Sequence, residues 1–230
     1  MTQLNFDIGA GQSLAFTPSQ LVIAGWTGRD AAAIEHHIEE LAALGVPRPS
    51  AVPLYYRAAH RQLTQDAQIE VLGDASSGEV EPVLLRTQGQ WWLTVGSDHT
   101  DRAAEAYAVD VSKHMCAKPL ARTAWRWDEV ASRADALQMQ SQIFEDDRWV
   151  LYQQGTLAQI RPLISLIAGL PADAPVQDGL VLFCGTFGAL PDAQSRGVRP
   201  AARMRLQLSD PAAARQIAHE YQSHVLPRVA

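Results

Sequence analysis

The 230 residues carry 19 Lys and Arg against 25 Asp and Glu, a formal charge of −6, and 47% of them are hydrophobic. A chain of this length can bury a core as one domain, and its composition is too apolar for a disordered segment. The acidic balance, without a Lys/Arg run, argues against nucleic acid and against an anionic membrane as partners. Two cysteines, Cys116 and Cys184, cannot build a disulfide framework, so a cytoplasmic location is expected. Residues 1–16 lack the pattern of a signal peptide, and the longest apolar runs, 163–170 and 180–184, fall far short of the ~18 residues that span a bilayer.

Residues 21–26, Leu-Val-Ile-Ala-Gly-Trp, read as a buried strand. Asp30 is placed to cap a helix running through Leu44, with Gly45 past its end and Pro47 beyond. Residues 69–72, 80–86, 91–96 and 106–111 read as short strands between turns. Leu157, Ile160, Ile164 and Ile167 share a face at helical spacing and predict a helix over 156–168. Residues 180–184 read as a second buried strand, Met204, Leu206 and Leu208 alternate as another, and 211–224 read as a closing helix. A strand-rich middle between helical ends predicts an α+β fold with antiparallel or mixed sheets, not a βαβ repeat. Gly9-Ala10-Gly11 fails as a dinucleotide fingerprint because Leu14 stands where the third glycine belongs. His114 and Cys116 lack further ligands at zinc spacing and read as ordinary packing.

Glu79-Val80-Glu81 opens the apolar run Val83-Leu84-Leu85. On a strand, residues i and i+2 share a face, about 7 Å apart. Two carboxylates aimed into one space repel and are costly to bury, and a divalent cation, which prefers oxygen ligands, removes that cost. The other reading is a solvated strand face, and Pro82 points to an edge strand, where such charges are ordinary. The turn Gly96-Ser97-Asp98-His99-Thr100-Asp101-Arg102 follows the strand at 91–95 and sets Asp98 at a strand end as a third ligand, or else as an Asx turn.

The order of Glu79-Val80-Glu81, Asp98-His99-Thr100-Asp101-Arg102, Ser112-Lys113, Gln153-Gln154-Gly155-Thr156 and Phe183-Cys184-Gly185-Thr186 resembles the fumarylacetoacetate hydrolase superfamily, collinearly from about residue 79 to 190. The resemblance implies an α+β fold with a mixed β-sandwich/β-roll core of that superfamily's C-terminal-domain type and peripheral helices. It implies one catalytic domain over 1–230: an N-terminal strand–helix lid region at 1–57, a metal-binding β-roll core at 58–190, and a C-terminal strand and helix at 191–230. It implies Mg²⁺ or Mn²⁺ on Glu79, Glu81 and Asp98, substrate binding by Arg102, Thr186 and Gln153, and a catalytic Lys113. The implied reaction is hydrolysis or decarboxylation of a small β-diketo or 2-oxo acid through a metal-bound enolate, in a homodimer. The chain departs from the pattern where Phe187 replaces the proline of a G-T-P turn and where Ala103 follows Arg102 in place of an Asp. These departures keep open a non-catalytic small-molecule-binding or regulatory protein of the same fold.

In compact members of that superfamily a helical His, with a Glu three residues on, activates water. His36-His37-Ile38-Glu39-Glu40 offers two such pairs. At about 100° per residue, Ile34, Ile38 and Leu41 lie within about 60° of one another, with His37 beside that stripe and His36 on the far side. His37 with Glu40 is therefore the expected dyad, an imidazole near neutrality steered by a carboxylate; a polar helix face is the other reading.

Overall fold

The computed structural model describes residues 3–43, 48–192, 194 and 196–229, and the side chains of these except His37, Glu40 and Leu41. A hairpin, β1 (Leu4–Gly9) and β2 (Gln12–Phe16), precedes β3 (Gln20–Gly25) and helix α1 (Ala31–Ala43). Strands β4 (Leu54–Ala58), β5 (Gln68–Leu72), β6 (Val80–Thr87) and β7 (Gln90–Ser97) lead to two short helices, α2 (Arg102–Glu105) and α3 (Val109–His114). Then come β8 (Trp125–Arg126), the hairpin β9 (Gln138–Glu145) and β10 (Arg148–Thr156), helix α4 (Leu163–Ala168) and β11 (Leu180–Phe183). A last hairpin, β12 (Arg203–Asp210) and β13 (Arg215–Leu226), follows. Six strands form one sheet in the order β8-β7-β6-β11-β3-β4, and five form another in the order β10-β9-β12-β13-β5. Both sheets are mixed: β11 runs parallel to β3 but antiparallel to β6, and β13 runs parallel to β5.

The six-stranded sheet is buried on both faces. Val22, Leu84, Leu93, Val95 and Leu182 pack with Met139, Ile143, Tyr152, Leu206 and Ile217 of the other sheet. Their alternates, Leu21, Ile23, Val83, Leu85, Val181 and Phe183, pack with Leu4, Phe6, Leu14 and Phe16 of the first hairpin. Double burial is why 21–24, 83–85 and 180–183 are unbroken apolar runs and not alternating ones. These runs are the strands the sequence predicts, as are 69–72, 91–96 and the alternating Met204, Leu206 and Leu208. Asp30 caps α1, its Oδ1 accepting from Ala32 N at 2.9 Å and Ala33 N at 3.2 Å. The expected end of that helix, Leu44 to Pro47, lies outside the described residues.

Several expectations are corrected. The helix expected over 211–224 is a single 3₁₀ turn at Pro211–Ala213 followed by β13, so the C-terminal strand and helix are a β-hairpin. Ile217 and Tyr221 are buried four residues apart, a spacing that suits a helix face and, being even, one face of a strand. Pairing with β12 on one side and β5 on the other satisfies the backbone and decides for the strand. Residues 106–111 are not a strand: Val109 opens α3. The N-terminal end is a hairpin, and Gly9-Ala10-Gly11 is its turn, with φ of 87°, 52° and 72°. The helix expected over 156–168 is split into a 3₁₀ turn at Leu157–Gln159 and α4, which starts after Pro162. Pro82 lies on an interior strand, not an edge, near the end of the β6–β11 pairing, where its carbonyl still accepts from Cys184 N at 3.1 Å. Among the described residues no helix is long and apolar enough to cross a membrane.

Candidate active site

Val80 points into the core between the sheets, so Glu79 and Glu81 face the other way, into a cavity of about 1070 Å³. The segment from Ala24 to Ile34, Tyr56 of β4, helices α2 and α3, and the loop Gly185 to Gly188 wall this cavity. Glu81 is 3% exposed and accepts from Gly185 N at 2.7 Å. Gly185 has φ of 90°, and a Cβ there would stand 1.7 Å from Thr27 Oγ1, so glycine alone brings this N–H up to the carboxylate.

Asp98, at the end of β7, has no exposed surface and is held beside Glu79 by the bond from Asp98 N to Glu79 O at 2.9 Å. Its Oδ2 pairs with the Lys113 ammonium of α3. Lys118 Nζ stands 3.2 Å from Oδ1 but off the hydrogen-bonding direction, which leaves that buried oxygen without a hydrogen-bond partner among the described residues. Burial pushes the Asp98 carboxyl up, but Lys113 and Lys118 outweigh it and hold the group below its ordinary value. Glu81 goes the opposite way, well above the usual range, through burial and the neighbouring Asp98 charge. Lys113 is raised: burial disfavours its charge, but Asp98, Glu79 and Glu81 more than offset that. Lys118 is fully buried and lowered by that burial, with Asp98 opposing, and its Nζ donates to His99 O at 2.7 Å, Cys116 O at 3.1 Å and Lys113 O.

The other expected residues divide into those that face the cavity and those that stand behind it. Arg102 lines it, but its guanidinium is shared among Glu79 (2.8 Å), Glu105 (3.1 Å) and Ser77 Oγ (2.7 Å). Thr186 also lines it. Gln153, expected to bind substrate, is fully buried and is not a lining residue; its four hydrogen bonds are all internal. Its Oε1 accepts from Val80 N and Ser141 Oγ, both at 2.9 Å, and its Nε2 donates to Thr186 Oγ1 and Phe187 O, both at 2.9 Å. The side chains of His37 and Glu40 lie outside the described residues; their backbone belongs to α1, whose first turns line the cavity at Ala33 and Ile34. Sequence reasoning missed Lys118, Tyr56 and the segment after β3. In that segment Trp26, at φ 61°, donates from Nε1 to Tyr56 OH at 3.0 Å, and the buried Thr27 Oγ1 has no partner among the described residues. The one available signal was the position of Trp26 and Thr27 just after a buried strand; Lys118 carried none.

The donor chemistry suits a divalent cation. Glu79, Glu81 and Asp98 offer only hard oxygens, one of them a buried oxygen lacking a hydrogen bond. Their spacing is set otherwise: among the described residues no three His, Cys, Asp or Glu side chains are grouped as a metal would hold them. Positive charge already stands among these carboxylates: Lys113 and Lys118 at Asp98, and Arg102 at Glu79.

No curated protein matches the chain in sequence. Solved structures do match in shape. One is a candidate fumarylpyruvate hydrolase from Burkholderia cenocepacia, at 17% identity and a TM-score of 0.67 over 99% of this chain and 97% of that one. Another is a 2-keto-3-deoxy-D-arabinonate dehydratase complexed with magnesium and 2,5-dioxopentanoate, at 16% identity and a TM-score of 0.63 over 96% and 79%. A third is 4-oxalocrotonate decarboxylase from Pseudomonas putida G7, complexed with calcium and acetate, at 11% identity and a TM-score of 0.50 over 89% and 76%. A protein-family model described as "Protein of unknown function (DUF2848)" matches residues 24–221. The chain belongs to the DUF2848 family, and it has the fold of the fumarylacetoacetate hydrolase superfamily.

Proposed function

We propose that the protein is a divalent-metal-dependent enzyme that cleaves a small 2-oxo or β-diketo acid, by hydrolysis or decarboxylation. The observation that carries this reading is that Glu79 and Glu81 face a large cavity, with the fully buried Asp98 behind them, interacting with Glu81 and paired with the cavity's Lys113. It is supported by the structural neighbours that were solved with magnesium or calcium and with a small oxo or carboxylic compound. Glu79, Glu81 and Asp98 would hold Mg²⁺ or Mn²⁺, which supplies Lewis-acid polarisation of a substrate oxygen.

The chain's own residues supply the rest. Lys113, kept protonated by its carboxylates, offers positive charge or a proton to an oxygen that gains negative charge. It must also release Asp98 for that carboxylate to become a ligand. Arg102, engaged on every side, positions Glu79 and does not clamp substrate. The Thr27 hydroxyl, without a partner among the described residues, and Thr186, which would give up its long 3.3 Å bond to Phe187 O, are the hydroxyl donors proposed for a substrate carboxylate, and Gln153 fixes Thr186 from behind. His37 with Glu40 remains the proposed pair for activating water.

Isothermal calorimetry with Mg²⁺ and Mn²⁺ tests the first requirement. Wild type is expected to take up one ion, and Glu81→Gln, which keeps an acceptor for Gly185 N but loses the charge, to bind at least about tenfold more weakly. A wild type that binds neither metal rejects the proposal. Turnover of oxaloacetate and acylpyruvates by the loaded protein then separates an enzyme from a binding protein of the same fold.

A further inference from the structure

We infer that the substrate carries one carboxylate and an apolar tail, alkyl or aryl, and that a second carboxylate is disfavoured. This rests on the oxo-acid reading above and names the substrate class within it. The cavity, at about 1070 Å³, lies at the top of the range for ligand pockets, roughly 300–1,000 Å³, so it has room well beyond the reacting head. Its cations are already paired. Arg29 is clamped by Asp135 through two bonds of 2.7 and 2.8 Å and donates from Nε to Ile160 O at 2.9 Å. Arg102 is held by Glu79 and Glu105, and Lys113 by Asp98. Among the described lining residues Asp30, Glu79, Glu81 and Glu105 outnumber those three cations. Metal uptake would free Lys113 for the reacting head, so a second substrate carboxylate further along would meet, among the described lining residues, only Arg29 and Arg102, which Asp135 and Glu105 still hold, and this is unfavourable.

Apart from Thr27, Gln159 and Thr186, the remaining wall is mostly apolar. Val109 lies one helical turn from Lys113, so it flanks the ammonium on the same face of α3. Ile34 and Phe187 extend the apolar surface, and Val198, 40% exposed, stands at the rim. The Phe187 ring is backed by Gly155, where a Cβ would come 3.0 Å from Phe187 Cε1. Thus the position where the resemblance leads one to expect a proline instead adds an aromatic face to the cavity.

The test is calorimetry of the Mg²⁺-loaded wild-type protein with pyruvate, 2-oxobutanoate, 2-oxopentanoate, 2-oxohexanoate, phenylpyruvate and 2-oxoglutarate. Affinity is expected to rise by about fourfold per added methylene. Phenylpyruvate should bind more tightly than pyruvate, and 2-oxoglutarate more weakly than 2-oxopentanoate. Binding that ignores tail length, or 2-oxoglutarate binding as well as 2-oxopentanoate, overturns the apolar subsite and leaves the oxo-acid reading standing. Failure of every member to bind overturns both. In Val198→Arg, the added cation should shift preference toward 2-oxoglutarate by about threefold to fivefold; an unchanged preference counts against the tail lying along this wall.

Discussion

Asp98 sits between two ammonium groups that differ in how they are held. Lys113 reaches the cavity, whereas Lys118 has no exposed surface and exchanges its water for backbone carbonyls. Lys118 thereby ties the chain around 113–118 to the strand end at Asp98 and His99. Lys118→Met keeps the bulk, removes the charge and leaves the carbonyls unpaired. It is expected to lower stability by about 3–5 kcal/mol, read as a fall in the urea midpoint. An unchanged midpoint would show that the ammonium is dispensable. Local sequence could not announce this residue: Cys116-Ala117-Lys118-Pro119 has no motif, and the partners at Asp98 and His99 come from a separate strand end. Gln153 was equally opaque in role. Its place in the ordered motifs marked it, but only the fold shows that its amide is fully used behind Thr186.

Among the elements, the closing hairpin carries the clearest acid-sensitive contact. Asp210, 1% exposed at the end of β12, accepts from Arg133 at 3.0 and 2.6 Å and from Arg215 at 3.3 Å. The Arg133 hydrogen bonds hold its carboxyl below the ordinary 3.8, against the opposing pull of burial, with Arg215 assisting. A folded-state pKa below the unfolded one means stabilisation that is complete above the unfolded value and lost as pH falls through the folded one. Asp210→Asn should therefore be less stable than wild type by about 1.5–3 kcal/mol at neutral pH, with the two converging below about pH 4. Urea titrations at several pH values check this; parallel curves would exclude the role. This hairpin is also where pattern reading failed, because Ile217 and Tyr221 satisfy both periods and only the partners β12 and β5 distinguish them. Val22, Leu84 and Leu182 were legible for the opposite reason: a strand covered on both faces is apolar at every position, and these short runs are bounded by turn residues.

For the whole molecule, the ordered motifs from Glu79 to Thr186 were enough to indicate the fold, because Glu79, Glu81, Arg102, Lys113 and Thr186 line one cavity while Asp98 and Gln153 hold Lys113 and Thr186 from behind. The substrate was not legible there, since the walls come from Ile34, Val109, Phe187 and Val198, scattered along the chain and without polar signature. The first hairpin has a practical consequence. The stretch that matches the family begins at residue 24, so it omits Leu4, Phe6, Leu14, Phe16, Leu21 and Ile23. Of these, Leu4, Phe6, Leu14 and Phe16 of the hairpin cover Val83, Leu85, Val181 and Phe183, all without exposed surface. A fragment cut to 24–221 should leave that face bare and aggregate, which soluble yield and size-exclusion chromatography would show; a monodisperse folded fragment would refute this. The boundaries of sequence similarity are therefore not the boundaries at which this chain can be cut for expression.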